Sequence, residues 1–158
     1  MSNKSLKNDI SSFLKDRPEN EISDFFNETM RFTEHYVASY ELNGDLYLVL
    51  DNSLIQEIKH RKTQPNRAIK AEAYLTFCKF VKYWSDRTTY LALSPMAIYE
   101  HFGRRVPQTI METHSALIKL NNILSVTYLE IRYINFHDAE SLHSVLLNIA
   151  DDEAELTK

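Results

Sequence analysis

The apolar positions of this chain fall into two patterns, and the first is a short unbroken run. Leu46, Tyr47, Leu48, Val49 and Leu50 follow one another and stop at Asp51, Asn52 and Ser53. A run of this length rich in β-formers predicts a strand buried on both faces. Thr88–Leu93 (TTYLAL) repeats the design, and Ser94, Pro95 and a short helix carrying Glu100 follow it. The pair predicts two adjacent parallel strands, each delivering an acid to the carboxyl edge, where open α/β sheets place ligands.

The second pattern is helical. A short helix is expected from Ser5 to Lys15, ended by Pro18. In Glu19–Tyr40 the residues Ile22, Phe25, Phe26, Met30, Val37 and Tyr40 recur at spacings of three, four and seven, which predicts a long helix. Glu41–Asp45 is a turn broken at Asn43-Gly44. After Asp51 a helix runs to about His60, capped by Asn52 or Ser53 and carrying Leu54, Ile55 and Ile58 inward. Asn66–Trp84 is a strong helix with Ile69, Ala73, Phe77, Phe80, Val81 and Trp84 on one face, long enough to cross back over a sheet. Pro95 suits the first turn of a helix that ends near Phe102-Gly103. Pro107–Asn121 and His137–Leu156 are further helices. Ile123–Ile134 fits both periods, and the absence of a turn signal favours helix. The expected organisation is a helical extension over 1–43 and a helix-rich α/β domain over 44–158.

Composition narrows the function classes. Eighteen basic and 22 acidic residues leave a net charge of −4, which argues against a protein that coats DNA but not against a local basic strip. Two glycines among 158 residues exclude a glycine-rich phosphate loop and disfavour an all-β fold. The single cysteine, Cys78, forms no intramolecular disulfide and reads as a buried thiol. No apolar run has signal-peptide or membrane-span length, so the expectation is a soluble, cytoplasmic protein. The histidines are scattered, and the six-residue step from His137 to His143 is poor for zinc.

The candidate chemistry lies with Asp51 and Glu100. Hard cations such as Mg²⁺ need only a few convergent carboxylates and keep several waters, and such sites activate water for attack on phosphodiesters. The competing reading makes Asp51 a helix cap and Glu100 a solvated helix residue. VLDNSLI (Val49–Ile55) resembles the opening motif of PIN domains, and LSPMAIYEHF (Leu93–Phe102) resembles their second motif, with Ser94 at the strand end and Glu100 six residues later. The resemblance covers residues 45–103 and implies a three-layer α/β fold, a short parallel sheet flanked by helices, and a bacterial toxin-like hydrolase. Its activity would be Mg²⁺- or Mn²⁺-dependent endoribonuclease cleavage. It implies metal ligation by Asp51 and Glu100, completed by Asp138 at the start of an apolar-faced helix, with Asn52 or Ser94 orienting ligands. A clear fourth acid and third and fourth strands are missing from the pattern, which implies a divergent PIN-like domain or one incomplete at its C-terminus.

Lys59, Arg61, Lys62 and Arg67 of the basic loop, with Arg104 and Arg105, would meet the phosphates of single-stranded RNA. An inhibitor protein or a second copy is a further expected partner. Two alternatives stand beside the nuclease: a non-catalytic PIN-like module that binds a protein or RNA, and an all-helical interaction domain.

Overall fold

The computed structural model describes residues 38–63 and 88–156 and, between them, residues 71, 74, 75, 77, 78 and 82. The expected helices over Ser5–Lys15 and residues 19–37 lie outside this set. The described chain is α/β, with a four-stranded, mostly parallel sheet in the order β1-β2-β3-β4. The all-helical alternative is therefore excluded.

Strands β1 (Ala38–Leu42) and β2 (Asp45–Val49) form an antiparallel hairpin in which Leu42 faces Asp45 and Tyr40 faces Tyr47. Asn43 and Gly44 both have positive φ, 53° and 85°, as a two-residue type I′ hairpin turn demands. The helix expected to reach Tyr40 is thus strand at its last three residues, and the expected boundary between 43 and 44 falls inside the hairpin turn. Tyr40 lies three residues after Val37, which fits a helix, but it also alternates with Leu42 along β1. Pairing with β2 decides between the two periods.

Strand β3 (Thr89–Leu93) runs parallel to β2, with Leu46 opposite Thr89 and Val49 opposite Ala92. The Leu50 amide extends the ladder by donating to the Ala92 carbonyl at 3.3 Å. The two apolar runs are therefore adjacent parallel strands, as their pattern predicts. Burial on both faces holds less well for β2, where Leu48 is buried while Tyr47 and Val49 are partly exposed.

A third parallel strand, β4 (Glu130–Tyr133), pairs with β3 and replaces the helix expected through residue 134. The preceding helix stops at Leu124, and a 3₁₀ turn over Ser125–Thr127 follows. Tyr128 then adopts φ 58°. A bulky residue rarely enters that region, so the turn carries no glycine, asparagine or proline to mark it. Buried Thr127 holds it: its Oγ1 donates to the Leu124 carbonyl at 2.9 Å and accepts from the Leu129 amide at 3.3 Å. Lys82 Nζ donates to the Tyr128 carbonyl at 2.6 Å.

The helices are α1 (Asn52–His60), α2 (Pro95–His101), α3 (Ile110–Leu124) and α4 (Ala139–Leu156), joined by helical residues of the β2–β3 connection. All contribute to one core. Leu48, Leu91 and Leu93 come from one sheet face, and Leu54, Ile55, Ile58, Phe77, Ile98, Leu117, Leu120, Leu142 and Leu146 pack over them. Fully burying each such side chain contributes about 1.5–3 kcal/mol before entropy is counted. Phe77 is core as expected, while Phe25, Phe80 and Trp84 lie outside the described residues. Cys78 is also buried, and burial pushes its thiol well above the usual range, as suits an inert structural thiol.

The opposite sheet face carries a ladder. Tyr40 stacks on Tyr47 with ring centroids 4.9 Å apart, Tyr47 stacks on Tyr90 at 5.2 Å, and the Arg132 guanidinium lies 4.5 Å from the centre of the Tyr90 ring. Among the described residues no helix is long and apolar enough to cross a membrane.

Candidate functional site at the carboxyl edge

Strands β2, β3 and β4 are parallel, so the segments that follow them leave from the same edge of the sheet. Asp51 follows β2, Ser94 and Glu100 follow β3, and Asp138 lies beyond β4. The edge expected from two strands is built from three.

Each strand feeds a helix through a polar cap. Asp51 is the N-cap of α1, where neither Asn52 nor Ser53 takes that place; its Oδ1 accepts from the Leu54 amide at 2.8 Å. Ser94 caps α2, its Oγ accepting from the Ala97 amide at 3.3 Å, with Pro95 at the first turn. Asp138 Oδ1 accepts from the Ser141 amide at 2.8 Å, while the Ser141 hydroxyl lies within hydrogen-bond range of the His137 and Asp138 amides. The Ser141 backbone bond, then its hydroxyl, hold the Asp138 carboxyl below its usual range. These caps satisfy amides that would otherwise lack partners at a helix start. The capping reading of Asp51 is correct, and it leaves Oδ2 without a hydrogen bond among the described residues.

Glu100 is half-buried on α2. The structure does not bring the three expected acids into one cluster: among the described residues no group of three His, Cys, Asp or Glu side chains has the geometry to hold a metal. The topology explains Asp138, because β2 and β4 flank β3 and lie two strand spacings apart, about 10 Å. Asp51 and Glu100 leave neighbouring strands. Their oxygen donors suit a magnesium-like ion, which is commonly held by one or two carboxylates, waters and substrate phosphates.

A polar chain absent from the sequence reading joins α1 to α2. The Gln56 Nε2 amide donates to Asn52 Oδ1 at 3.4 Å and to His101 Nδ1 at 3.1 Å. An amide nitrogen cannot accept, so His101 Nδ1 is the acceptor and the neutral ring carries its proton on Nε2. Burial and then the charge of Lys59 lower the His101 pKa below its ordinary value, which favours this neutral form. Asn52, expected to orient ligands, is thus engaged by Gln56. The four-residue step from Asn52 to Gln56 was readable as a helical pair, but the reach to His101 required the packing.

Of the expected phosphate contacts, Lys59, Lys62 and Arg105 are exposed, and Arg67 lies outside the described residues. Arg61 is half-buried and donates to the Ile58 carbonyl at 3.4 Å. Arg104 is engaged elsewhere, in an ion pair with Glu153 of α4. Glu153 also accepts from the Tyr99 hydroxyl at 2.9 Å. Burial, and after it Glu153, raise the Tyr99 phenol above its ordinary range. Through Tyr99, Glu153 therefore ties α4 to α2, the helix that carries Glu100.

The fold and this edge define an α/β protein whose candidate ligand site lies at the carboxyl ends of parallel strands. No protein-family model, curated protein or solved structure matches the chain.

Proposed function

We propose that this chain is a PIN-like, metal-dependent endoribonuclease acting on single-stranded RNA at the edge that holds Asp51 and Glu100. One observation carries the reading: β2 and β3 are parallel neighbours, β2 leads into Asp51 at the start of α1, and β3 leads into α2, which carries Glu100. Asp51 and Glu100 would hold Mg²⁺ or Mn²⁺, which supplies an activated water. In the chain itself, Asp51 is fixed by its bond to Leu54, and the Ser94 cap sets the start of the helix that carries Glu100. Asp138 is kept as a helix cap rather than as a third ligand. An inhibitor protein or a second copy is proposed as the regulating partner, and a cytoplasmic setting suits the free thiol.

The second reading is a non-catalytic module of the same fold that binds RNA or protein. It is favoured by the absence, among the described residues, of a three-ligand metal cluster.

Thermal melts and RNA cleavage separate the two. Asparagine caps about as well as aspartate, so Asp51→Asn should keep its stability in chelator, while Asp51→Ala loses about 1 kcal/mol. Mg²⁺ should stabilise the wild type by about 2.7 kcal/mol at a hundredfold excess over Kd, and both variants less. Metal-dependent cleavage should vanish in both. An equal response to metal in all three proteins, with no cleavage by any, would sink the nuclease reading.

The basic strip has its own test. Changing Lys59 and Lys62 together to glutamine should reduce the slope of log K against log salt for single-stranded RNA by about 1.4, from roughly 0.7 per phosphate contact. An unchanged slope assigns both lysines to an ordinary solvated surface.

A further inference from the structure

We propose that β1 is the interface for a second copy of this chain, the two β1 strands pairing antiparallel about a two-fold axis at Tyr40. This pairing is independent of the acids at the carboxyl edge and is compatible with either reading of the function.

Among the described residues β1 lies at one edge of the sheet, with β2 beside it. The outer side of an edge strand is a template for another strand unless the sequence blunts it. The two edges of this sheet differ in that respect. Strand β4 exposes the charges of Glu130 and Arg132. Strand β1 contains no proline or lysine, keeps an unbroken register against β2, and exposes two large apolar side chains, Tyr40 at 41% and Leu42 at 52%.

The tyrosine ladder fits a second copy. The Tyr40 ring is nearly parallel to that of Tyr47, with 2° between the planes and 4.9 Å between the centroids. That distance matches the spacing of neighbouring strands, about 4.8 Å. One face of the Tyr40 ring therefore lies against Tyr47, and the other is turned outward across the β1 edge. The Arg132 guanidinium closes the far end of the ladder. A ring one strand further out would extend the near end, and a second Tyr40 supplies it.

The backbone selects the same register. Tyr40 is the middle residue of β1. Counting from Leu42 and Asp45, which close the hairpin, alternate residues turn their amides and carbonyls away from β2, and Ser39 is one of these. An axis at Tyr40 sets Ser39 opposite the partner's Glu41 in a hydrogen-bonded pair. It sets Tyr40 opposite the partner's Tyr40 in a non-hydrogen-bonded pair, where side chains come closest. An axis at Glu41 would instead place two carboxylates directly opposite, which is destabilising. An axis at Ser39 would set Tyr40 opposite the partner's Ala38 and interrupt the ladder.

Sedimentation equilibrium and disulfide trapping test the pairing. The wild type should associate reversibly to a dimer as its concentration rises. Edge strands tolerate proline where the lost amide faces away from the sheet. Ser39→Pro should therefore melt near the wild-type temperature and stay monomeric. Hydrogen-bonded pairs hold their Cα atoms about 5.5 Å apart, within the range of disulfides. A mixture of Ser39→Cys and Glu41→Cys should therefore give, on mild oxidation, far more cross-linked dimer than either variant alone, since the native Cys78 is buried. A wild type that is monomeric at every concentration would overturn the proposal and leave the edge to a strand of a different protein. A dimer that persists in folded Ser39→Pro would place the interface on another face, which also overturns it. If Ser39→Pro fails to fold, the cross-link decides: equal yields from the mixture and from either variant alone overturn the pairing, and a preferred mixed cross-link upholds it.

Discussion

Leu91→Ala should lower the unfolding free energy by about 2–5 kcal/mol, the usual range for truncating a buried leucine. Leu91 is fully buried in β3 and faces Leu48 of β2 on one side and Ile131 of β4 on the other. Truncation leaves a cavity where the sheet meets its helices, and neighbours in a regular ladder have little freedom to collapse into it. Domains are commonly stable by only about 5–15 kcal/mol, so the loss is a large fraction of the margin. The next residue supplies the contrast. Tyr90 points to the opposite face, where it is partly exposed and contacts Tyr47 and Arg132. Its aromatic and cation–π contacts contribute about 0.5–1.5 kcal/mol each beyond simple burial. Urea titrations of Leu91→Ala and Tyr90→Ala should therefore show the larger fall in midpoint for Leu91, with slopes near wild type. A larger loss for Tyr90 would contradict the assignment of the main core to the Leu91 face.

The same two faces show how far the sequence could be read. Strands β2 and β3 were legible because each is an apolar run that ends in a helix-capping residue, Asp51 or Ser94. That coincidence of a strand end and a helix start also made Asp51 and Glu100 legible as candidates. Strand β1 was less visible. Its decisive feature is long-range pairing with β2, although Asn43-Gly44 is the dipeptide that a two-residue hairpin favours. Reading the dipeptide as a hairpin turn would have recovered β1. Strand β4 was hidden for a different reason. It alternates exposed Glu130 and Arg132 with half-buried Ile131 and Tyr133, so it has no unbroken apolar run. The turn before it uses a tyrosine where a sequence reader looks for glycine.

The site divides along the same line. Capping is local, so a polar cap within residues 51–53 was legible, although the expected Asn52 or Ser53 yields that place to Asp51. The bond between Gln56 and His101 spans 45 positions and exists only because α1 packs beside α2. Arg104 is expected from its charge to meet phosphate, and only the return of α4 supplies Glu153.

Thr127→Val should cost roughly 1–3 kcal/mol, the penalty for leaving buried polar groups without partners. Valine keeps the shape of threonine and removes only its hydrogen-bonding capacity. The Leu124 carbonyl would lose a donor and the Leu129 amide its acceptor, in a turn where Thr127 is fully buried. Tyr128 makes this turn sensitive. A left-handed conformation disfavours a residue with a β-carbon by about 1–2 kcal/mol, so surrounding bonds must hold it there. Thr127 does so from one side, and Lys82 holds the Tyr128 carbonyl from the other. Thr127→Ser, which keeps the hydroxyl, should recover most of the loss beyond that of the missing methyl group. Because the turn delivers β4 to the sheet, amide hydrogen exchange in Thr127→Val should quicken first over residues 128–134, and only later across β2 and β3. If Thr127→Val matched the wild type in both stability and exchange, the Thr127 hydroxyl would not be what holds this turn.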